Sequence, residues 1–351
     1  MMNITETIKN KFTFLMAAFL IYSAIGINWT NVDEGLIYSH YTKLSLGFCL
    51  YLISSNLKKS FIIWSTDKIF FISLILLILV PICGTTSMGA QRWINLGFTF
   101  QPSEIFKIVL PLSLALFIHQ RGLLDDTKNL MMALSLTLLP VILILNQPDL
   151  GTAIIITSGA AACIIASGIT FRTFTISTGI LLSSLPLTWM YLLHDYQKDR
   201  ILSLLNFNSD RLGSDYHVIQ SKIAIGNGGG FGRTDDSATQ TALGYVPELH
   251  TDFIAAAIAE HTGFMGITLL IMLYLILIFF SYTEVIKSNS LFDIIYICGL
   301  ITTIILSAVV NLAMISGYLP VVGLPLPLLS YGGTSIFIFC IGIGLISNKT
   351  Q

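Results

Sequence analysis

Charged side chains are scarce in this sequence: 18 Lys and Arg and 19 Asp and Glu make up 11% of 351 residues, against 54% hydrophobic and a mean hydropathy of +0.80. Soluble domains average about 25% charged residues, so a soluble globular protein is excluded and the apolar surface must face a bilayer. An excess of one sign is missing too. The formal net charge of −1 leaves no global attraction for nucleic acid or acidic substrates. Cysteines are few, and Cys49, Cys83, Cys163, Cys298 and Cys340 all lie in apolar runs without the close pairing of a metal or redox motif, which assigns them to packing. His40, His119, His194, His217, His250 and His261 show no metal-ligand spacing. No soluble domain, low-complexity tail or internal repeat is evident, so residues 1–351 read as a single membrane domain.

What the chain does have is long apolar runs. A spanning helix needs about 20 mostly apolar residues, and ten such runs emerge, near 12–28, 41–55, 69–83, 103–119, 130–146, 152–169, 173–193, 253–282, 291–316 and 332–347. The expected fold is therefore all-α, a polytopic integral membrane protein of about ten transmembrane helices. The first run is long and lacks a small-residue cleavage site, so it is expected to stay as a span and not leave as a signal peptide.

Cytoplasmic short loops are enriched in Lys and Arg, and that gives an independent test of orientation. With the N-terminus inside, the inner segments hold Lys9, Lys11, Lys58, Lys59, Lys68, Arg121, Lys128, Arg172, Lys287 and Lys349. The short outer segments hold only Arg92, with Lys43 near a helix start, and the loops 146–151 and 317–331 hold none. Both termini are thus expected in the cytoplasm. One extracytoplasmic loop, 194–251 between the seventh and eighth spans, is far longer than the rest. Its apolar runs, Ile201 to Leu205 and Tyr216 to Ile225, suit short amphipathic helices on the membrane face.

Several polar residues could carry chemistry. Glu104 and Lys107 are three apart in Gln101-Pro-Ser-Glu-Ile-Phe-Lys, so on a helix they share a face and can pair inside the membrane. Either they form a structural ion pair or they line a polar cavity. Pro102 and Ser103 look like helix-start residues, which puts the pair within the first turns, in reach of a lipid headgroup. Arg92 sits beside Trp93; this is either an interfacial anchor or a site for a phosphate and a sugar ring, since guanidinium forks bind phosphate bidentately. Val246-Pro-Glu-Leu-His-Thr-Asp-Phe gathers Glu248, His250 and Asp252 at an outer membrane boundary. Asp252 is either a helix cap or a sheltered carboxylate able to act as a general base. Glu260, eight residues beyond, falls on roughly the same helical face and requires a buried partner, while His261 reads as a satisfied interior histidine.

The run Gly226-Asn-Gly-Gly-Gly-Phe-Gly is glycine-rich but lies in an outer loop with no strand-to-helix unit, so a nucleotide fold is rejected. Its glycines suit a sharp turn or a close backbone approach to substrate. Gly323-Leu-Pro-Leu-Pro-Leu-Leu-Ser-Tyr-Gly-Gly-Thr-Ser is a Pro/Gly-broken stretch at the edge of the last span. Irregular backbone at membrane depth is tolerated only beside protein or water, which assigns it to a cavity wall.

Six blocks in this order resemble the SEDS family (shape, elongation, division and sporulation): Gly89-Ala-Gln-Arg-Trp-Ile, Gln101-Pro-Ser-Glu, Gln147-Pro-Asp-Leu-Gly-Thr, residues 212–226, Pro247-Glu-Leu-His-Thr-Asp-Phe and the Gly323 to Ser335 run. The wording of Tyr196 to Arg200 and Tyr216 to Gly226 is more similar to the elongation members than to the division members. The resemblance covers nearly the whole chain. It implies a ten-helix peptidoglycan glycosyltransferase of the bacterial inner membrane that polymerises lipid II on the outer side, within the elongation machinery, beside a class B penicillin-binding protein. It implies that Asp252 is the catalytic base, taking the proton from the acceptor sugar's 4-hydroxyl as undecaprenyl pyrophosphate leaves the donor, with inversion to a β-1,4 link. It also implies a substrate cavity of Arg92, Trp93, Glu104 and Lys107, with Arg200, Lys222 and His250 as further substrate contacts, and permits a divalent cation, Mg²⁺ or Mn²⁺, for which no dedicated ligand set is legible. Leu249 stands where the family commonly has a polar residue, and His261 where a second acidic residue often follows Glu260, which bears on fine substrate contacts or partner coupling. The competing reading is a lipid II flippase or other transporter. Against it, carriers usually show inverted repeats and mid-membrane sites, whereas these charges gather near one face.

Overall fold

A computed structural model of the chain describes residues 4–87, 90–95, 99–122, 124, 126–192, 198 and 216–348. Among these residues, ten long helices follow the ten expected spans and two short ones lie between the seventh and the eighth. In chain order they are α1 (Ile4–Ile27), α2 (Glu34–Ser55), α3 (Lys59–Cys83), α4 (Pro102–Arg121), α5 (Thr127–Asn146), α6 (Leu150–Ala166), α7 (Phe171–Leu187), α8 (Tyr216–Gly228), α9 (Thr239–Ala242), α10 (Ile254–Lys287), α11 (Leu291–Ile315) and α12 (Gly333–Ser347). Five of them, α3, α4, α5, α10 and α11, are long and apolar enough to cross a membrane by length and composition.

Three differences from the sequence reading have physical causes. α1, α2 and α3 begin earlier than their apolar runs because their first turns are helical although charged and polar residues interrupt them. In α3, Lys59 pairs with Asp293 at 2.7 Å and Lys68 lies 2.9 Å from the Trp64 ring centroid, so long cationic stems carry charge away from the apolar stretch. The segment before α4 is a small antiparallel sheet, β1 (Thr85–Ser87), β2 (Ala90–Asn95) and β3 (Thr99–Phe100), in the order β1-β2-β3. It pairs Thr85 with Trp93 and Ile94 with Phe100, giving a loop near the membrane internal partners for its backbone. In the long loop, Tyr216 to Ile225 is helical as expected, whereas Ile201 to Leu205 lies outside the described residues.

The chain divides into two compact units. One comprises Met1–Asn56, Asp199–Phe280 and Ile304–Lys349, the other Leu57–Lys198, Ser281–Thr303 and Thr350–Gln351. In the first unit α12 runs along α2. Gly47 faces Cys340 and Ile336, and Gly344 meets Ser54 and the Tyr51 carbonyl so closely that a Cβ there would overlap them. Lipid tails are as apolar as Leu, so helices associate in a bilayer through such close approach of small residues.

In the second unit α4 is the central helix: 83% of its apolar window is buried, against 28% for α3. Phe106, Leu110, Leu114 and Ile118 form a fully buried i, i+4 row along it. Gly159 and Gly299 provide the close packing of α6, against Thr303 and Cys163 respectively. The cysteines are free thiols, and Cys163 donates from Sγ to the Ile295 carbonyl at 3.5 Å.

Candidate active site

In the first unit, Val246 to Phe253 forms a turn that delivers Asp252 to the start of α10. Pro247 breaks the chain, Glu248 takes a left-handed conformation (φ 53°), and the Thr251 and Phe253 N–H groups both donate back to the Glu248 carbonyl, at 3.1 and 3.3 Å. The Thr251 hydroxyl also turns back, to Glu248 Oε2 at 2.9 Å. Asp252 therefore precedes the helix, which begins at Ile254, and the single-face relation to Glu260 expected from spacing is not carried by continuous helix. The carbonyl of Asp252 accepts from Asn311 Nδ2 at 2.8 Å. Its Oδ2 faces Gly323 (φ 69°), where a Cβ would stand 3.7 Å away.

The wall beside Asp252 is the broken segment 316–332, and its own sequence makes it tolerable at membrane depth. Pro320, Pro325 and Pro327 carry no N–H, which reduces the donors to be satisfied. The carbonyls are met by buried side chains: Leu324 by Asn311 at 2.7 Å, Pro327 by the Tyr274 hydroxyl at 2.7 Å and Leu329 by the Ser23 hydroxyl at 2.9 Å. The Leu326 N–H donates to Ser330 Oγ at 2.7 Å, and Tyr331 N–H donates to the His250 carbonyl at 2.7 Å. The His250 and Tyr331 rings meet edge to face at 5.6 Å.

Lys43 stands over Tyr331, 3.6 Å from the ring centroid. Partial burial raises the Tyr331 phenol, but hydrogen bonds to Lys43 and Ser39 and the Lys43 charge outweigh it, so its pKa lies below the ordinary tyrosine value. On the other side α8 lays His217 against Phe253, with ring centroids 6.0 Å apart. It anchors Ser221 Oγ on the Ile315 carbonyl at 2.9 Å, and the Lys222 stem crosses Gly317 where a Cβ would collide with it. Arg200 lies outside the described residues.

The other candidates belong to the second unit. α4 opens with Pro102 in its first turn, as its sequence predicts, and Lys107 Nζ pairs with Glu104 Oε1 at 2.5 Å, the two side chains 1% and 4% exposed. Glu104 Oε2 is buried with no hydrogen-bond partner among the described residues. Arg92, on β2, donates from Nε to the Gln147 carbonyl at 3.0 Å and from Nη2 to the Pro148 carbonyl. Two of its five N–H groups thus hold the loop into α6. Trp93 beside it is half-buried.

Sequence reasoning missed the residues that knit this region. Asp149 caps α6 by accepting from Thr152 N–H at 3.2 Å, and its Oδ2 accepts from Gln101 Nε2 at 2.8 Å and Ser103 Oγ at 3.3 Å. An Asp preceding an apolar run was the available signal.

Glu260 and the glycine run prove to be parts of one packing device. Fully buried Glu260 accepts from the Gln240 N–H at 3.0 Å, the Thr241 N–H at 2.8 Å and Asn227 Nδ2 at 3.0 Å, so it satisfies the open N-terminus of α9. His261 bonds Thr241 Oγ1 at 2.9 Å and stacks on Trp29 at 5.3 Å, the satisfied interior histidine its surroundings predicted. Gly228 and Gly232 press on the Ala259 and His261 carbonyls, where α10 kinks at Gly263 (φ 65°). The close approach allowed by these glycines is thus to α10.

Among the described residues, no group of three or more His, Cys, Asp or Glu side chains could hold a metal ion.

Comparison with known proteins agrees with this architecture. The FtsW/RodA/SpoVE family, described as cell cycle proteins, matches residues 7–351. The peptidoglycan glycosyltransferase MrdB of Escherichia coli is 37% identical over 335 residues, covering 95% of this chain and 90% of that one. A structure described as showing structural coordination of polymerization and crosslinking by a peptidoglycan synthase complex superposes with a TM-score of 0.81 at 31% identity, covering 96% of this chain and 95% of that one. The crystal structure of the Thermus thermophilus rod shape determining protein RodA does so with a TM-score of 0.71 at 27% identity, covering 95% and 94%.

Proposed function

The chain belongs to the FtsW/RodA/SpoVE family of cell cycle proteins; it is a multi-pass membrane peptidoglycan glycosyltransferase that makes glycan strands in cell elongation, and we propose that Asp252 is the base of that reaction. The substrate is lipid II. The Asp252 carboxylate takes the proton of the acceptor N-acetylglucosamine 4-hydroxyl, and that oxygen forms its bond to C1 of the donor N-acetylmuramic acid. The bond from C1 to the pyrophosphate oxygen breaks with its electron pair, and undecaprenyl pyrophosphate leaves. One displacement on an α-linked donor inverts to a β-1,4 link, as when a base activates an acceptor opposite a leaving group. General base catalysis of this kind supplies about 10²–10⁴ in rate.

The observation that carries the reading is how Asp252 is held. Asn311 fixes its main-chain carbonyl, a bond that does not draw on the carboxylate. Gly323, opposite Oδ2, puts no side chain in the way.

Lys222 and His250, in the same unit, are the proposed contacts for the departing pyrophosphate and the sugar; cations offset such charge near hydrocarbon. Arg92, Trp93, Glu104, Lys107 and Arg200 stay as proposed substrate contacts through family membership. The described donors do not form a cage for Mg²⁺ or Mn²⁺, and no step is assigned to a metal. Both termini face the cytoplasm and Asp252 the outer side, supported by the placement of Lys and Arg in the short loops. The proposed partner is a class B penicillin-binding protein, supported by the likeness to a synthase complex that couples polymerisation to crosslinking.

The test is to purify the protein with its penicillin-binding partner, block transpeptidation, and look for glycan ladders from lipid II. Asp252→Asn is expected to express and fold as the wild type, because the Asn311 bond goes to its backbone, and to make no ladders. Ladders from that variant would reduce Asp252 to a helix-start residue.

A further inference from the structure

Asn311 is a single amide in an otherwise apolar stretch of α11, one turn from its end, and it is fully buried. Both of its N–H groups are used: Nδ2 donates to the Asp252 carbonyl at 2.8 Å and to the Leu324 carbonyl at 2.7 Å. Its Oδ1 is buried with no hydrogen-bond partner among the described residues. A leucine would occupy similar volume with no orphaned acceptor, so packing alone does not account for an amide here.

The two carbonyls define what the amide does. One belongs to the proposed base. The other belongs to Leu324, directly after Gly323, the residue that faces Asp252 Oδ2. Asn311 thus bonds both strands of this wall. It joins the turn before α10 to the broken segment 316–332, and Tyr331 N–H, on the His250 carbonyl at 2.7 Å, closes the same two strands further along.

We infer that Asn311 is a positioning residue for glycosyl transfer, holding the backbone of Asp252 against the Gly323–Leu324 wall so that the carboxylate keeps its place relative to the acceptor hydroxyl. The inference rests on Asp252 being the base. Asn311 touches neither sugar nor leaving group and acts through Asp252. Misplacing a catalytic group by about 1 Å can cost on the order of 10²-fold in rate, and that is the scale of effect expected when the brace is removed.

The experiment compares Asn311→Leu, Asn311→Asp and Asp252→Asn in the full chain purified with its penicillin-binding partner, following polymerisation of lipid II together with thermal unfolding in detergent. Asn311→Leu is expected to lower kcat roughly ten- to a hundredfold with KM unchanged, per folded molecule. Asn311→Asp keeps the volume and, when protonated, one O–H donor, so its kcat is expected between the two and to rise relative to wild type as pH falls. A wild-type kcat per folded molecule in both Asn311 variants, with only the folded fraction reduced, overturns the inference and leaves Asn311 structural. An inactive Asp252→Asn beside fully active Asn311 variants overturns the positioning role alone, whereas an active Asp252→Asn overturns the base assignment and the inference with it.

Discussion

Lys107→Met removes the ammonium from a pair whose side chains are 1% and 4% exposed, and it strands a carboxylate whose Oε2 already has no partner among the described residues. Removing one partner of a buried ion pair costs about 3–5 kcal/mol, because the remaining charge is uncompensated. Against a native stability of about 5–15 kcal/mol, that is a large fraction, and the unfolding transition should move down sharply. Glu104→Leu combined with Lys107→Met removes the stranded charge as well and should recover most of the loss. The exchanged pair, Glu104→Lys with Lys107→Glu, keeps the i, i+3 contact. It places a cation in the first turn of α4 and the carboxylate one turn deeper, against the helix dipole, so it should fall short of wild type by about 0.3–1 kcal/mol. Thermal unfolding in detergent and lipid II polymerisation are measured on the same preparations. The expected pattern is an exchanged pair that folds but does not polymerise, because the two groups are the proposed substrate contacts and would meet the substrate in a fixed order. Wild-type unfolding in Lys107→Met would refute the burial reasoning, and wild-type polymerisation by the exchanged pair would make it a purely structural brace.

Gly232→Ala puts a Cβ into the His261 carbonyl at φ 87°, so it should destabilise the protein by about 1–3 kcal/mol through overpacking, seen as a lower unfolding temperature; an unchanged temperature would show that α10 yields freely at its kink. Tyr331 has a folded-state pKa below its ordinary value because Lys43 lies against it, so its deprotonated form is favoured in the folded state. The stability advantage of wild type over Tyr331→Phe should therefore grow as pH rises through the folded value toward the usual tyrosine range and fade as pH falls below it. Urea or thermal unfolding across mildly alkaline pH checks this, and a difference that shrinks with rising pH would contradict it.

Much of this protein was readable as a string of residues. The ten helices follow from run length, and the run ends differ where helical turns with polar residues extend beyond the apolar stretch, as in α3 with Lys59 and Lys68, or where the α-helix stops short of it, as at Ala166 in α6 and Leu187 in α7. The Glu104–Lys107 contact followed from a spacing of three, and the start of α4 from Pro102. The sheet before α4 was not legible, because three short strands leave little alternation to detect. Nor was the work of Glu260, which looked like a group near the proposed base and instead holds the start of α9.

The amino-acid order alone determined the solvent, the number of spans and the Glu104–Lys107 contact one helical turn apart, since hydropathy and helical spacing are local properties. Only the folded chain decided that Arg92 would hold the Gln147 and Pro148 carbonyls, that Asp149 would meet Gln101, and that Asn311 would tie Asp252 to Leu324. A lone polar side chain in an apolar run must find a partner because the bilayer supplies none. Which backbone group becomes that partner depends on which helices pack together, and no periodicity along the chain encodes it.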